Sequence, residues 1–144
     1  MACLEMLCGG VLERHPKLRV AFMESGCGWI ASWLERLDNH VKNWGHTSVK
    51  LPHLPSEYFK RQCCISADPD EVMIPGIVQV IGDTNILFAS DYPHPDGIFP
   101  GAVAEMAERK DISEASKSKI LAENAARFFR TNPKTKAQAK KSKR

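Results

Sequence analysis

"NILFASDYPHPDG", residues 85–97, opens as an apolar run and ends in aspartates, a tyrosine, a histidine, two prolines and a glycine. A short unbroken apolar run bounded by turn residues reads as a strand buried on both faces, the kind found in parallel sheets. The run delivers a carboxylate, Asp91, at its last position and then turns at once. A strand built in this way holds an acidic group rigidly at one end of a sheet.

The same pattern occurs twice upstream. Residues 18–25, "LRVAFMES", form a β-branched and aromatic run closed by "GCG", and residues 62–71, "QCCISADPDE", run into an acidic turn. Helical periodicity lies between these strands. Trp29, Ile30, Trp33, Leu34, Leu37 and Val41 recur on one stripe opposite Glu35, Arg36, Asp38 and Lys42, the strongest helix signal in the chain. Residues 72–82 read as a short helix with Pro75 near its start and Gly82 as its stop.

Before the first strand, residues 2–16 read as one helix with Leu4, Leu7, Cys8, Val11 and Leu12 on a single stripe, ended by His15 and Pro16. After the third strand, residues 101–109 and 113–129 read as helices. Ser113 or Asp111 caps the last one, which turns Ile120, Leu121, Ala125, Phe128 and Phe129 inward. Residues 45–59 form a loop with Pro52 and Pro55, and a helical turn at residues 56–59. The order is a helix followed by three strand-then-helix units, which predicts a parallel sheet covered by helices.

All three strands end in polar or small residues. In parallel α/β folds the strand-to-helix loops converge on one face, where ligands gather. Glu24, Asp68, Asp70, Asp91 and His94 are therefore expected on one rim. The turn after Asp91 also suits an aspartate that only caps it, and "DPD" suits Asx-turn chemistry, so both structural roles stay open.

Length and composition agree with one domain. The 144 residues are 43% hydrophobic and 26% charged, as in globular proteins. No apolar run approaches the ~20 residues of a membrane helix, and no secretory leader is visible, so a cytoplasmic, membrane-free protein is expected. Five cysteines without a CxxC pair read as free thiols, with Cys63 and Cys64 on opposite faces of their strand. His40, His46 and His53 have no zinc-site spacing. Trp29 and Trp33 read as packing residues, and Asn124 as a structural one that bonds backbone across the last helix.

The net charge of +3 divides unevenly. Residues 131–144 carry six Lys or Arg and no acid, leaving 14 basic against 17 acidic side chains in residues 1–130. The expected organisation is a folded body over residues 1–130 and a basic, disordered tail over 131–144. The tail is either a solvated terminus or an electrostatic contact, and the acidic body makes nucleic acid an unexpected partner.

"GGVLERHPKLRVAFMESGCGWIASWLERLD", "LPSEYFKRQCCIS", "NILFASDYPHPDG" and "KILAENAARFF" together resemble the amidohydrolase-related family, the branch that includes aminocarboxymuconate-semialdehyde and resorcylate decarboxylases. The resemblance spans residues 9–129. It implies a (β/α)8 TIM barrel of which this chain holds roughly the last three strand–helix units, a full barrel needing ~250 residues. It implies one divalent metal, most often zinc, at the C-terminal rim. Asp91 then matches the eighth-strand aspartate that contacts the metal and handles the proton of its bound water. His94 becomes a substrate-facing proton donor.

Glu24 stands where the family has its sixth-strand histidine, so it is assigned to substrate contact on the rim. The family's His-x-His pair and fifth-strand histidine have no match in this chain. The resemblance thus implies a C-terminal part of a metal-dependent hydrolase or decarboxylase of a small carboxylated or cyclic substrate, silent by itself. A non-enzymatic α/β module that self-associates through open sheet edges is the second expectation.

Overall fold

The computed structural model describes residues 2–45, 50–95 and 97–131. His46 and residues 132–144, which hold nearly all of the expected basic tail, lie outside the described residues. The elements run α1 (Ala2–Cys8), α2 (Val11–Arg14), β1 (Val20–Phe22), α3 (Ile30–Trp44), α4 (Pro55–Gln62), β2 (Cys63–Ala67), α5 (Ile74–Ile81), β3 (Ile86–Phe88), α6 (Ala102–Glu108), α7 (Glu114–Ser118), a π-helical turn (Lys119–Glu123) and α8 (Asn124–Phe129). The strands form one parallel sheet in the order β1-β2-β3, with Val20 beside Cys63 and Ile65 beside Ile86. No described helix is long and apolar enough to cross a membrane.

β2 is the centre of the sheet and is buried along its whole length. Cys63, Ile65 and Ala67 join a core with Ile30, Leu34, Phe59, Ile74 and Ile77 from the covering helices. Alternation along the strand sends Cys64 and Ser66 to the other face. Burial pushes the Cys63 thiol up to about 12 and the Cys64 thiol to about 11, so both stay protonated packing groups.

Four local expectations are corrected. The first helix is two: at Gly9 a Cβ would lie 2.4 Å from the Glu5 carbonyl oxygen, and Gly10 turns left-handed at φ 73°. The stripe from Leu4 to Leu12 is therefore split, although Leu7 and Leu12 are both buried.

The first strand shrinks from eight expected residues to three, Val20–Phe22. On its N-terminal side the Gln62 amide donates to the carbonyls of His15 (3.0 Å) and Leu18 (2.9 Å), occupying the backbone with a side chain instead of a ladder. On its C-terminal side Glu24 turns left-handed at φ 54°.

The helical turn expected at residues 56–59 extends to the two turns of α4. Its start is fixed by Pro55 in the first turn, by Glu57 accepting from Leu54 N (2.7 Å), and by Asp38 of α3 accepting from Ser56 N (2.9 Å) and Oγ (2.6 Å). Finally, Phe129 is 60% exposed instead of inward. The π turn before α8 inserts extra residues into the helical repeat and shifts its phase. Ile120 and Asn124 then face the sheet while Phe129 swings out.

Ser113 caps α7 as expected, its Oγ accepting from Ser116 N at 3.0 Å. The turn entering β3 is tied to this helix: the Asp83 carboxylate accepts from Lys119 Nζ (3.0 and 3.1 Å) and Ser116 Oγ (2.9 Å). Partial burial works to raise the Asp83 pKa, but these donors outweigh it and hold the group below its ordinary 3.8. A depressed folded-state pKa contributes stability that is complete above the unfolded value and lost as pH falls through the folded one. Acid titration of unfolding is thus expected to lose this contribution below about pH 4, with a shallower acid slope in Asp83→Asn. Equal slopes below that pH would contradict the pairing.

Candidate active site

The three strand ends lie side by side, and each ends in an unusual backbone or a clamp. Asp91 follows β3 with φ 52°, a left-handed conformation that aspartate tolerates better than most residues. His94 N donates to the Asp91 backbone carbonyl at 2.7 Å, and Gly97 N donates to the His94 carbonyl at 3.1 Å. The turn is closed by main chain. The Asp91 carboxylate is therefore not spent on capping it, and makes no side-chain hydrogen bond or ion pair to a described residue.

Gly97 is required by close approach, since a Cβ there would lie 2.7 Å from the Ser90 carbonyl oxygen and 2.9 Å from that of Asp91. Folding back in this way, the loop forms a cleft of about 120 Å³ lined by Asp68, Asp70, Ser90, Asp91 and Gly97. Asp91 from β3 and the Asp68–Asp70 pair from β2 are thus brought together.

Glu24 and His94 are not in that cleft. Both are exposed, Glu24 at the end of β1 with its N–H donating to Ser66 Oγ (3.2 Å), and His94 at the tip of the turn. A much larger cavity of about 1170 Å³ lies between α1 and α3, walled by Leu4, Cys8, Trp33, Leu37 and Val41. It contains none of the strand-end residues; Glu5, Glu35, Arg36 and His40 line it beside the apolar walls, all of them on the helices and away from the sheet ends, so volume alone does not mark the site here.

The residue that sequence reasoning missed is Glu71. Its carboxylate accepts from Cys27 N at 3.0 and 2.8 Å, from Gly28 N at 3.2 Å and from Asp68 N at 3.0 Å. It therefore pins the loop after β1 to the loop after β2. Cys27, fully buried beside it, has its thiol pushed up to about 12, by burial first and then by the neighbouring carboxylate. The "GCG" turn was visible in the sequence, but nothing local names a partner 43 residues away.

Metal binding can be judged from the donor set. Asp91 offers two carboxylate oxygens, suited to a hard or borderline divalent cation. Among the described residues, no three His, Cys, Asp or Glu side chains converge in a metal-holding group. The fit is that of one ligand, where catalytic sites use about three protein ligands.

Residues 4–131 match the amidohydrolase family, and the chain belongs to it. The 2-amino-3-carboxymuconate-6-semialdehyde decarboxylase of Dictyostelium discoideum is 30% identical over 135 residues, 92% of this chain and 37% of that protein. The amidohydrolase structure from Mycobacterium avium subsp. paratuberculosis K-10 superposes with a TM-score of 0.76 at 30% identity, covering 88% of this chain and 32% of that one. The dihydroxybenzoic acid decarboxylase of Polaromonas sp. JS666, solved with manganese and 2-nitroresorcinol, superposes with a TM-score of 0.68 at 25% identity, covering 92% and 40%.

The chain spans little more than a third of the relatives it matches. The expected family is borne out, as is the fold: the three parallel strands and their helices are part of a (β/α)8 barrel. Divalent metal is a property of family members. The metal named in the Polaromonas structure is manganese, where the sequence led us to expect zinc.

Proposed function

We propose that this chain is the C-terminal part of a metal-dependent decarboxylase acting on a small carboxylated aromatic or cyclic substrate, with hydrolysis as the alternative reaction on the same scaffold. The observation that carries this reading is Asp91: a carboxylate held in a left-handed strand-end turn, lining a cleft, whose oxygens no described residue uses. The cation is zinc by sequence resemblance or manganese by the named relative, and when bound it would supply charge neutralisation for the substrate's carboxylate or activate water. Asp91 would be its ligand in this chain.

Asp91 would also handle the proton, holding it on a carboxylate oxygen and delivering it to the substrate carbon left with the electron pair when the bond to carbon dioxide breaks. His94 faces the substrate as proton donor, and Glu24 binds it from the neighbouring strand end. Tyr92 and Phe99, exposed rings 4.4 Å apart in the same loop, offer an aromatic surface for a flat substrate. With one ligand among the described residues where about three are needed, the chain by itself would be inactive.

Metal analysis of the purified chain, together with turnover of 2,6-dihydroxybenzoate, 5-carboxyvanillate and lactones, tests both statements. Stoichiometric metal with turnover would overturn inactivity alone. Failure of every substrate in a barrel completed with a relative's N-terminal portion would overturn the enzymatic reading. Among the described residues β1 and β3 each pair with a strand on one side only, and these sheet edges favour self-association as a second, non-enzymatic reading. Light scattering that finds only monomer would reject it.

A further inference from the structure

We infer that Glu71 is the resident anion of a backbone nest, a positioning residue that locks the β1 and β2 strand ends together and keeps foreign carboxylates out of that nest. The nest is the turn at residues 26–28, whose successive N–H groups point at one spot, the geometry that binds anions in other folds. Both Glu71 oxygens are engaged there, by Cys27 N and Gly28 N, while Asp68 N donates from the second loop.

The surrounding residues are fitted to this occupant. A Cβ at Gly26, which sits at φ +62°, would lie 3.1 Å from Glu71 Oε2, and one at Gly28 would lie 3.2 Å from Met73 Cγ. Glycine at both positions lets the Glu71 carboxylate and the side chain of Met73, the residue before α5, approach. The β1 loop so held carries Glu24, whose left-handed backbone is further pinned by Ser66 Oγ from β2.

The consequence for specificity rests on the proposed substrate class. A substrate bearing a carboxylate would find an unoccupied nest attractive, next to Asp68, which lines the Asp91 cleft. Glu71 fills it from within the chain, so the substrate's carboxylate has no competing seat beside the strand ends.

The test compares wild type, Glu71→Gln and Glu71→Ala by amide NMR and thermal melting, with sodium formate and benzoate as probes and chloride as control. In Glu71→Ala the amide signals of Cys27, Gly28 and Asp68 are expected to shift upfield, that of Glu24 to move with them, and the melting midpoint to fall by roughly 5–10 °C. Formate at about 0.1 M should restore the amide positions saturably and recover part of the midpoint, and benzoate should shift the same amides. Wild type and Glu71→Gln, in which the nest is still filled, should not respond.

If Glu71→Ala fails to fold, formate-dependent refolding replaces the melt, and Glu71→Gln still reports loss of one acceptor at the same amides. Unshifted amides in Glu71→Ala, or recovery with chloride as strong as with formate, would overturn the assignment. None of these measurements reads catalysis, so a failure of the enzymatic reading leaves them intact.

Discussion

Replacing Asp91 by asparagine in a barrel completed with a relative's N-terminal portion is expected to lower turnover by about 10²–10⁴-fold while leaving the fold unchanged. Asparagine keeps the shape of the side chain and is at home at φ 52°, so the turn closed by the backbone bond from His94 to Asp91 survives. What it removes is the negative charge and the ability to hold a proton. Alanine would confuse the result, because a left-handed backbone at that residue costs on the order of 1 kcal/mol and the loop would relax.

Asp70→Asn is the control. It alters a carboxylate of the same cleft, yet is expected to change turnover by less than about tenfold, because a group that only shapes the local field is worth a kcal/mol or so. Metal content measured alongside separates the two duties of Asp91. Loss of metal with loss of turnover marks a ligand, and retained metal with lost turnover marks the proton carrier. A variant that keeps both would remove Asp91 from the chemistry.

Asp91 was legible before any coordinates, since an apolar run ending in "SDYPHPDG" can hardly be anything but a strand delivering a carboxylate to a turn. α3 was legible for a related reason: its apolar stripe fixes both its helicity and its buried face, Ile30, Leu34 and Leu37. Features set by distant partners were not legible. α4 depends on Asp38, 18 residues upstream, to satisfy its first turn, and β1 is trimmed by the amide of Gln62. Glu71 looked like one more acidic turn residue because its four hydrogen bonds involve loops on two different strands.

Phe129 shows a third kind of failure. The period of 3.6 is right for α8, but the π turn before it resets the phase, and no side chain in "KILAENAARFF" announces that. For the site the sequence did gather Asp68, Asp70 and Asp91 at one end of the sheet. It placed Glu24 and His94 there too, yet both lie outside the cleft, which leaves their roles to the completed barrel.

The π turn also explains why Asn124 is where the second large effect is expected, this time on stability. Its shifted phase points Asn124 at the sheet, 1% exposed, where Nδ2 donates to the carbonyls of Asp83 (2.6 Å) and Ile86 (2.8 Å). These are the last carbonyl before the β3 turn and the first of β3 itself. Asn124→Ala leaves both without that donor and opens a small cavity, at a cost of about 2–4 kcal/mol. Asn124→Leu fills the cavity but not the hydrogen bonds, so it should recover less than half of the loss.

Asn124→Asp should be the worst of the three, because it sets a carboxylate against two carbonyl oxygens in a site closed to water. Denaturant unfolding at constant m-value measures all three. Asp83 joins the same knot through its carboxylate contacts with Lys119 and Ser116, so Asn124→Ala and Asp83→Asn should be non-additive when combined. Strict additivity, or an Asn124→Ala cost below about 0.5 kcal/mol, would mean that β3 is held by its core side chains alone and that the π turn has no part in placing the strand that carries Asp91.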